Sequence, residues 1–589
     1  MAIRNENINI LWGSLIIEEL IRNGINYFCI SPGSRSTPLT VAVARHPKAR
    51  YIICNDERAA AYHAVGYARG KGKPAVVIST SGTAVANYFP AVVESSFDLV
   101  PLLILSADRP PELRATGANQ TIQQTNIFGD YLRWQFDLPC PNEKVALEVV
   151  LTTVDQAIYR ALHGPAGPVH LNCPFREPLA PSLSAIQDDY LDSVKNWINN
   201  SAPYTFYSAS YPSIGGSDLQ KLISLLNQVK RGILVVGHLR TTEERSSVLK
   251  LSKMLRWALF ADILSGIRLG NNEDFLITNY DQLLLSEKFM ESLQPEVIFQ
   301  LGGQITSKRL LKYLENLKSD KYILVTNHPF RFDPIHRITW RIESSLQALG
   351  ESLINQISPK IDRNWLNNII QQSKQTKQII QEFQFKDDDL NEPAIAQIIS
   401  KNIPKEQALF LASSLPIREM DMFSDFSDHI VNVSANRGAS GIDGIIATAL
   451  GYMEGLKEPV TLLVGDLAFF HDLNSLLLVK SVLRPLILIV INNQGGGIFS
   501  FLPIAKYKDI FETFFATPHS HTFELAAKMF QLDYYQPKTK NDFLQSYQQA
   551  LREGKSAIIE IQTNREQNFD FHEMIQEKIK QTLDKEQVK

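Results

Sequence analysis

The sequence predicts three doubly wound α/β domains. Three observations support this. First, short β-rich runs such as PLLILSADR (101–109), GILVVG (232–237) and PLILIVINN (485–493) end in polar or glycine positions and are followed by amphipathic helical stretches. That alternation marks parallel sheets covered by helices. Second, the stretch 181–215, rich in Ser, Asn, Tyr and Pro, reads as a linker, and the Gln/Lys/Ile-rich stretch 356–385 reads as a helical connector. Third, GYARGKGKPAVVISTSG (66–82) lies over GYMEGLKEPVTLLVGDL (451–467), with Gly66 matching Gly451 and Pro74 matching Pro459. PLLILSADR then matches PLILIVINN after a one-residue gap. Two generic βαβ units could coincide in this way, but the shared order of signals favours duplication of the first domain as the third.

The expected boundaries are 1–190, 191–385 and 386–589. The first block closes with GPVHLNCPFREPL (167–179). The central domain carries a core block at about 216–355, with strands GILVVG, EVIFQLG and YILVTN, between its linkers. Gly302–Gly303 after EVIFQL make at most a weak dinucleotide turn, because no G-x-G-x-x-G is present. That domain reads as structural or regulatory, without flavin.

Of the 589 residues, 44% are apolar, enough for a sizeable core in each block. The formal net charge of −3 argues against a nucleic-acid or membrane-surface partner. Apolar runs such as LILIVI (486–491) are too short to span a bilayer. The opening MAIRNENINILWG has neither signal-peptide nor transit-peptide character, so a cytoplasmic protein is expected. The four cysteines, at 29, 54, 140 and 173, lack C-x-x-C spacing and read as buried thiols of a reducing compartment.

The chemistry concentrates in VGDLAFFHDLNSLLLVKSVLRPLILIVINNQGGGIF (464–499). Asp466 follows the apolar run TLLV and Asn493 follows LILIVI, so each stands at a strand's carboxyl end, where parallel sheets hold ligands. A strand–helix–strand crossover between them returns the chain beside its starting strand. Carboxylate, amide oxygen and a backbone carbonyl near Gly495 are hard donors suited to Mg²⁺, with Mn²⁺ as a substitute. Gly465 and Gly495–Gly497 let backbone approach a phosphate. Taken singly, the Asp is an ordinary helix cap and the Asn/Gly run an ordinary turn; the spacing is what argues for a metal.

With SPGSRSTPLT (31–40), DERAAAYHAVGYARG (56–70), TSGTAVANYFPAVVES (80–95), ADRPPELRATGANQTI (107–122), NRGASGIDG (436–444) and NNQGGGIFSFLP (492–503), the chain resembles the 2-succinyl-5-enolpyruvyl-6-hydroxy-3-cyclohexene-1-carboxylate synthases, a family of thiamine diphosphate enzymes. The resemblance covers both outer blocks and weakens in the middle. It implies a pyrimidine-binding first domain, a diphosphate- and metal-binding third domain, and a homodimer or homotetramer with its active site at the subunit interface. The implied reaction is decarboxylation of 2-oxoglutarate and conjugate addition of the remaining fragment to isochorismate, towards menaquinone or phylloquinone.

The resemblance also implies residue roles. Glu57 would hydrogen-bond a cofactor pyrimidine nitrogen, although an acid in a first helical turn has a plain electrostatic use too. Ser81, Gly82, Ser440, Gly441, Gly465, Leu467 and Gly495 would line the cofactor, beside the ligands Asp466 and Asn493. Ile442 would prop its bent form, and Ile498 and Phe499 would wall the thiazolium, where ordinary core packing is the alternative. Arg35, Arg109, Arg418 and Arg437 read as strand-end loop residues whose guanidinium groups grip substrate carboxylates. Ser34, Asn119, Gln120, Ser414 and Lys308 would complete the substrate pocket. Two rival readings stand beside this one: a pyruvate-type carboligase related to acetolactate synthases, and a non-catalytic nucleotide-binding α/β protein.

Overall fold

The computed structural model describes residues 5–317, 319, 321–384 and 388–586. The expected boundary at 385–386 therefore lies outside the described residues, as do the first four residues of the opening segment. Three sheets are present, and all pairings between their strands are parallel.

The first sheet comprises β1 (Tyr27–Ile30), β2 (Arg50–Ile53), β3 (Val76–Ser79), β4 (Leu102–Asp108), β5 (Trp134–Asp137) and β6 (Pro168–Pro174), in the order β2-β1-β3-β4-β6-β5. The second comprises β7 (Gly232–Val236), β8 (Ala258–Ala261), β9 (Val297–Leu301), β10 (Tyr322–Thr326) and β11 (Trp340–Glu343), in the order β11-β10-β9-β7-β8. The third comprises β12 (Ala408–Leu411), β13 (Val433–Ala435), β14 (Val460–Gly465), β15 (Leu486–Asn492), β16 (Asp533–Tyr535) and β17 (Ala557–Gln562), in the order β13-β12-β14-β15-β17-β16. First and third sheets thus have the same winding, strand for strand, as duplication requires. Every residue of β4, β6 and β15 is buried, which explains the unbroken apolar run LILIVI in β15; the polar residues that β4 and β6 bury pair with one another, Ser106 Oγ lying 2.6 Å from His170 Nε2 and donating to Asn172 Oδ1 at 2.9 Å.

The chain divides into two compact units. One gathers residues up to Ala209 with Asn436–Glu458 and Phe470–Arg484; the other holds Ser210–Ala435, Pro459–Phe469 and Pro485 onward. In the second unit one continuous apolar core runs through both the central and the third sheet. Gly302–Gly303 are structural there: the Gly303 N–H donates to His238 O at 2.9 Å, tying the turns after β7 and β9 together. All four cysteines are buried and unpaired, and burial raises the thiols, Cys54 to about 12 and Cys140 to about 11.

The first unit is organised by a crossing between the helices Glu57–Lys71 and Ile445–Leu456. A β-carbon on Gly66 would sit 2.0 Å from Thr448 O, and one on Gly451 would sit 1.9 Å from His63 O. The duplicated glycines are therefore where the two backbones touch. Gly451→Ala should destabilise the unit by about 3 kcal/mol, because the obstacle is backbone and cannot move aside. Urea denaturation of parent and variant checks this, and Gly66→Ala should cost as much.

The crossover from β14 to β15 differs from the single helix expected. It is a six-residue helix, Asp466–His471, followed by a 3₁₀ run, Leu473–Ser481. Asp472 separates them. Its buried carboxylate accepts the N–H groups of Ile446 (2.7 Å) and Ala447 (3.0 Å) and the Ser475 hydroxyl (2.7 Å). The helix Ile445–Leu456 starts after Gly444, which has no side chain to cap it, so Asp472 supplies the cap from a distance.

Candidate active site

In the first unit the expected residues gather at the carboxyl ends of β1, β3 and β4. Ser34 and Arg35 form the turn after β1. The Arg35 N–H donates to Thr80 Oγ1 (3.3 Å), and its guanidinium donates to Phe175 O (2.9 Å) and pairs with Glu177 at 3.2 Å. Arg109 follows β4, and its N–H donates to Asp108 Oδ1 at 2.7 Å. Asp108 is itself held by Asn172 (2.9 Å) and Arg114 (3.1 Å). Burial, and then the charge of Arg109, lower the pKa of Arg35. The Nε atoms of Arg35 and Arg109 are both buried without a hydrogen-bond partner among the described residues. Two guanidinium groups so placed present donors and positive charge to an anion.

Beside them, Ser81 and Gln120 bond reciprocally: Ser81 Oγ donates to Gln120 O (3.0 Å), and Gln120 Nε2 donates to Ser81 O (3.1 Å). The Gly82 N–H donates to Gln124 Oε1 at 2.9 Å. Asn119 is exposed. Glu57 opens its helix half-buried, but Asp56 is the cap, accepting from Arg58 (2.9 Å) and Ala59 (3.4 Å). The Glu57 carboxylate is not used for capping.

The loop carrying Arg437, Ser440, Gly441 and Ile442 is fastened at both ends. Glu94 accepts from Gly438 N (2.9 Å) and Ala439 N (2.7 Å), while Tyr62 donates to Asp443. Arg69 pairs with Glu94 at 2.6 Å and also with Asp98, so a buried ion triad underlies the loop. Ile442 is 40% exposed, and Ile498 and Phe499 are half-buried, the Phe499 ring lying edge-on to Phe515 with centroids 5.9 Å apart.

In the second unit, β14 and β15 pair with Gly465 opposite Ile491, which puts Asp466 and Asn493 at neighbouring strand ends. Asp466 Oδ1 accepts from Leu467 N (2.7 Å); Oδ2 accepts from Gly495 N (2.9 Å) and lies 3.1 Å from His519 Nε2. Burial raises the Asp466 carboxyl, and these N–H groups oppose the shift. Asn493 Nδ2 donates to Glu392 Oε1 at 3.1 Å, while Asn493 Oδ1 is buried and unpartnered among the described residues. Gly495 has φ 145°, and a β-carbon there would meet Ala516 O at 2.3 Å, so only glycine fits. The donor set of carboxylate, orphaned amide oxygen and nearby glycine carbonyl suits a hard divalent cation. Ile498 and Phe499 lie on the 3₁₀ turn Gly497–Phe501.

One expectation is corrected. Arg418 is not in a loop but in the helix Leu415–Phe423, where its guanidinium turns back to donate to Ser414 O. The Ser-Ser-Leu-Pro signal misled because proline suits the first turn of a helix as well as a loop. Ser414, just before it, has φ 77° and ψ −134°, a strained conformation of the kind concentrated at functional sites. Lys308 is the exposed first residue of the helix Lys308–Asn316. Among the described residues, no hydrogen bond or ion pair joins it to Ser414, Arg418, Asp466 or Asn493. Sequence reasoning missed Glu392, His519 and the Glu94–Arg69–Asp98 triad.

Three family profiles match the chain: the thiamine pyrophosphate enzyme N-terminal TPP binding domain over 12–127, the middle domain of thiamine pyrophosphate enzymes over 188–411, and the C-terminal TPP binding domain over 428–561. A Rubrobacter xylanophilus protein named 2-succinyl-5-enolpyruvyl-6-hydroxy-3-cyclohexene-1-carboxylate synthase is 44% identical, with 96% of this chain and 97% of that protein covered. The chain belongs to this synthase family of thiamine pyrophosphate enzymes. Proteins of the same name from Salinibacter ruber (42% identical, 98% of each chain) and Chlorobaculum parvum (43%, 99% of each) are similarly alike. Membership in the synthase family makes the metal-type donor set in the second unit intelligible, since a diphosphate must be anchored through a cation or backbone N–H groups.

Proposed function

We propose that the protein is a thiamine diphosphate- and Mg²⁺-dependent transferase. It decarboxylates 2-oxoglutarate and adds the remaining four-carbon unit to isochorismate in a conjugate addition, giving 2-succinyl-5-enolpyruvyl-6-hydroxy-3-cyclohexene-1-carboxylate and CO₂. The observation that supports this substrate class best is the pair Arg35 and Arg109, two guanidinium groups with buried, unpartnered Nε atoms at the carboxyl ends of β1 and β4, on either side of β3. Both substrates are dicarboxylates, and paired N–H donors are what a carboxylate takes.

When bound, thiamine diphosphate supplies the nucleophilic carbon and the electron sink. In this reading Asp466, Asn493 and the Gly495 carbonyl hold the cation, with Mn²⁺ able to replace Mg²⁺. The loop residues Ser440 and Gly441 and the strand-end residues Ser81, Gly82, Gly465 and Leu467 line the cofactor. Glu57 shares a proton with its pyrimidine nitrogen. Ile442, Ile498 and Phe499 exclude water around it. Arg418 and Arg437 join Arg35 and Arg109 in orienting carboxylates, with Ser34, Asn119, Gln120, Ser414 and Lys308 around them. The working form in this proposal is a cytoplasmic homodimer or homotetramer built from domains 1–190, 191–385 and 386–589. Among the described residues, no helix is long and apolar enough to cross a membrane.

Steady-state kinetics test the substrate assignment. Pyruvate lacks the distal carboxylate and would leave a gripping cation unmatched. Hydrogen bonds to charged groups contribute about 1.5–3 kcal/mol each, and sites built for a polar group reject analogues lacking it strongly. The preference for 2-oxoglutarate over pyruvate in kcat/KM should therefore reach ~10² or more. Comparable turnover of pyruvate would overturn the assignment in favour of a pyruvate-type carboligase.

A further inference from the structure

We infer that Glu392 is a positioning residue that fixes which end of the Asn493 amide faces the metal. The inference rests on the reading of Asp466 and Asn493 as cation ligands. An asparagine side chain has a donor end and an acceptor end of nearly equal shape, and only its partners decide which way it points. The partner here is the buried carboxylate of Glu392, whose Oε1 lies 3.1 Å from Asn493 Nδ2. Oε1 is the acceptor both for Asn493 Nδ2 and for the Thr563 hydroxyl, so it selects the NH₂ end of the amide. That leaves Oδ1 on the other side, buried and unpartnered among the described residues. Glu392 is held in turn: Thr563 Oγ1 donates to the same Oε1 at 3.2 Å, and Asn391 caps the helix that Glu392 begins. Glu419, paired with His572 at 2.8 Å, lies on the helix Leu415–Phe423, which packs against the one that Glu392 begins. Were the amide reversed, Oδ1 would face a carboxylate and the cation would meet an NH₂ group.

The arrangement is testable without turnover. The full-length chain is titrated with Mg²⁺ at fixed thiamine diphosphate, and cofactor binding is followed by calorimetry. Asp466→Ala and Asn493→Ala report on the underlying metal reading. Glu392→Gln keeps size and shape but lets the partner donate as well as accept. It should weaken Mg²⁺ binding about 10–100-fold, as loss of an outer-shell partner does. In an Asn493→Asp background the effect should reverse in sign. There Glu392→Gln should tighten binding, because glutamine donates to the new carboxylate whereas glutamate opposes it. A purely structural role predicts a loss in both backgrounds, so an unreversed sign, or parental Mg²⁺ affinity in Glu392→Gln, overturns the inference. If Glu392→Gln does not fold, Glu392→Asp, which withdraws the acceptor by one methylene, should lose about tenfold; unchanged affinity then overturns it. If Asp466→Ala and Asn493→Ala both bind Mg²⁺ as the parent does, the metal reading itself fails, and the inference with it.

Discussion

Asp466→Ala is expected to abolish Mg²⁺-dependent binding of thiamine diphosphate while leaving the fold intact. Asp466 contributes the only carboxylate of the proposed ligand set, and its two oxygens already organise the loop by accepting from Leu467 N and Gly495 N. Stripping one charged partner from a buried pair costs about 3–5 kcal/mol, which is ~10² to 10³ or more in Kd. The fold should survive because the apolar strands β14 and β15 on either side are unaffected. Calorimetry with the purified variant reads the loss, and circular dichroism reads the fold. Parental cofactor affinity would remove the metal role from both strand ends at once.

Glu57→Gln should behave in the opposite way, binding the cofactor within a few-fold of the parent but failing to activate it. The variant changes one acid for its amide at the start of a helix whose cap, Asp56, is untouched. What is lost is the ability to share a proton with the pyrimidine ring. General acid–base groups contribute about 10²–10⁴ in rate, so solvent exchange of the cofactor's thiazolium C2 proton, followed by NMR after quenching, should slow by a factor in that range. Unchanged exchange would leave Glu57 as a first-turn acid of no catalytic consequence.

The strands were legible because parallel sheets bury both faces, and runs such as LILIVI can hardly be anything else. The metal-type strand ends were legible because Asp466 and Asn493 are joined by a crossover whose length dictates adjacency. Glu392 was invisible for the complementary reason. In NEPAIAQ it looks like a first-turn acid after an Asn cap, and its partners Asn493 and Thr563 lie 101 and 171 residues further along the chain. Nothing local distinguishes a glutamate that meets the helix dipole from one that orients another side chain. Arg418 was misplaced by two serines and a proline that serve helix starts and loops alike. The long-range cap by Asp472 was likewise hidden, because the helix it serves begins 27 residues earlier in the sequence.

The glycine crossing has a historical consequence. Gly66 meets Thr448 and Tyr452, and Gly451 meets His63 and Tyr67; Gly70 meets Tyr452 and Leu456, and Gly455 meets Tyr67 and Lys71. Each contact is the mirror of another, with position i of one copy touching position j of the other and the reverse. That reciprocity is the mark of an isologous, two-fold interface between identical subunits. A fused gene has kept it inside one polypeptide. An ancestor with one such domain would have paired with itself through this same surface, and every change there struck both sides at once. Fusion freed the copies to specialise, even beside the axis, where Thr448 stands at the position of His63 and Leu456 at that of Lys71. At the same offset of 385 positions, the residue matching Ser81 became Asp466 and the one matching Glu57 became Ile442, while the glycines on the axis stayed as they were.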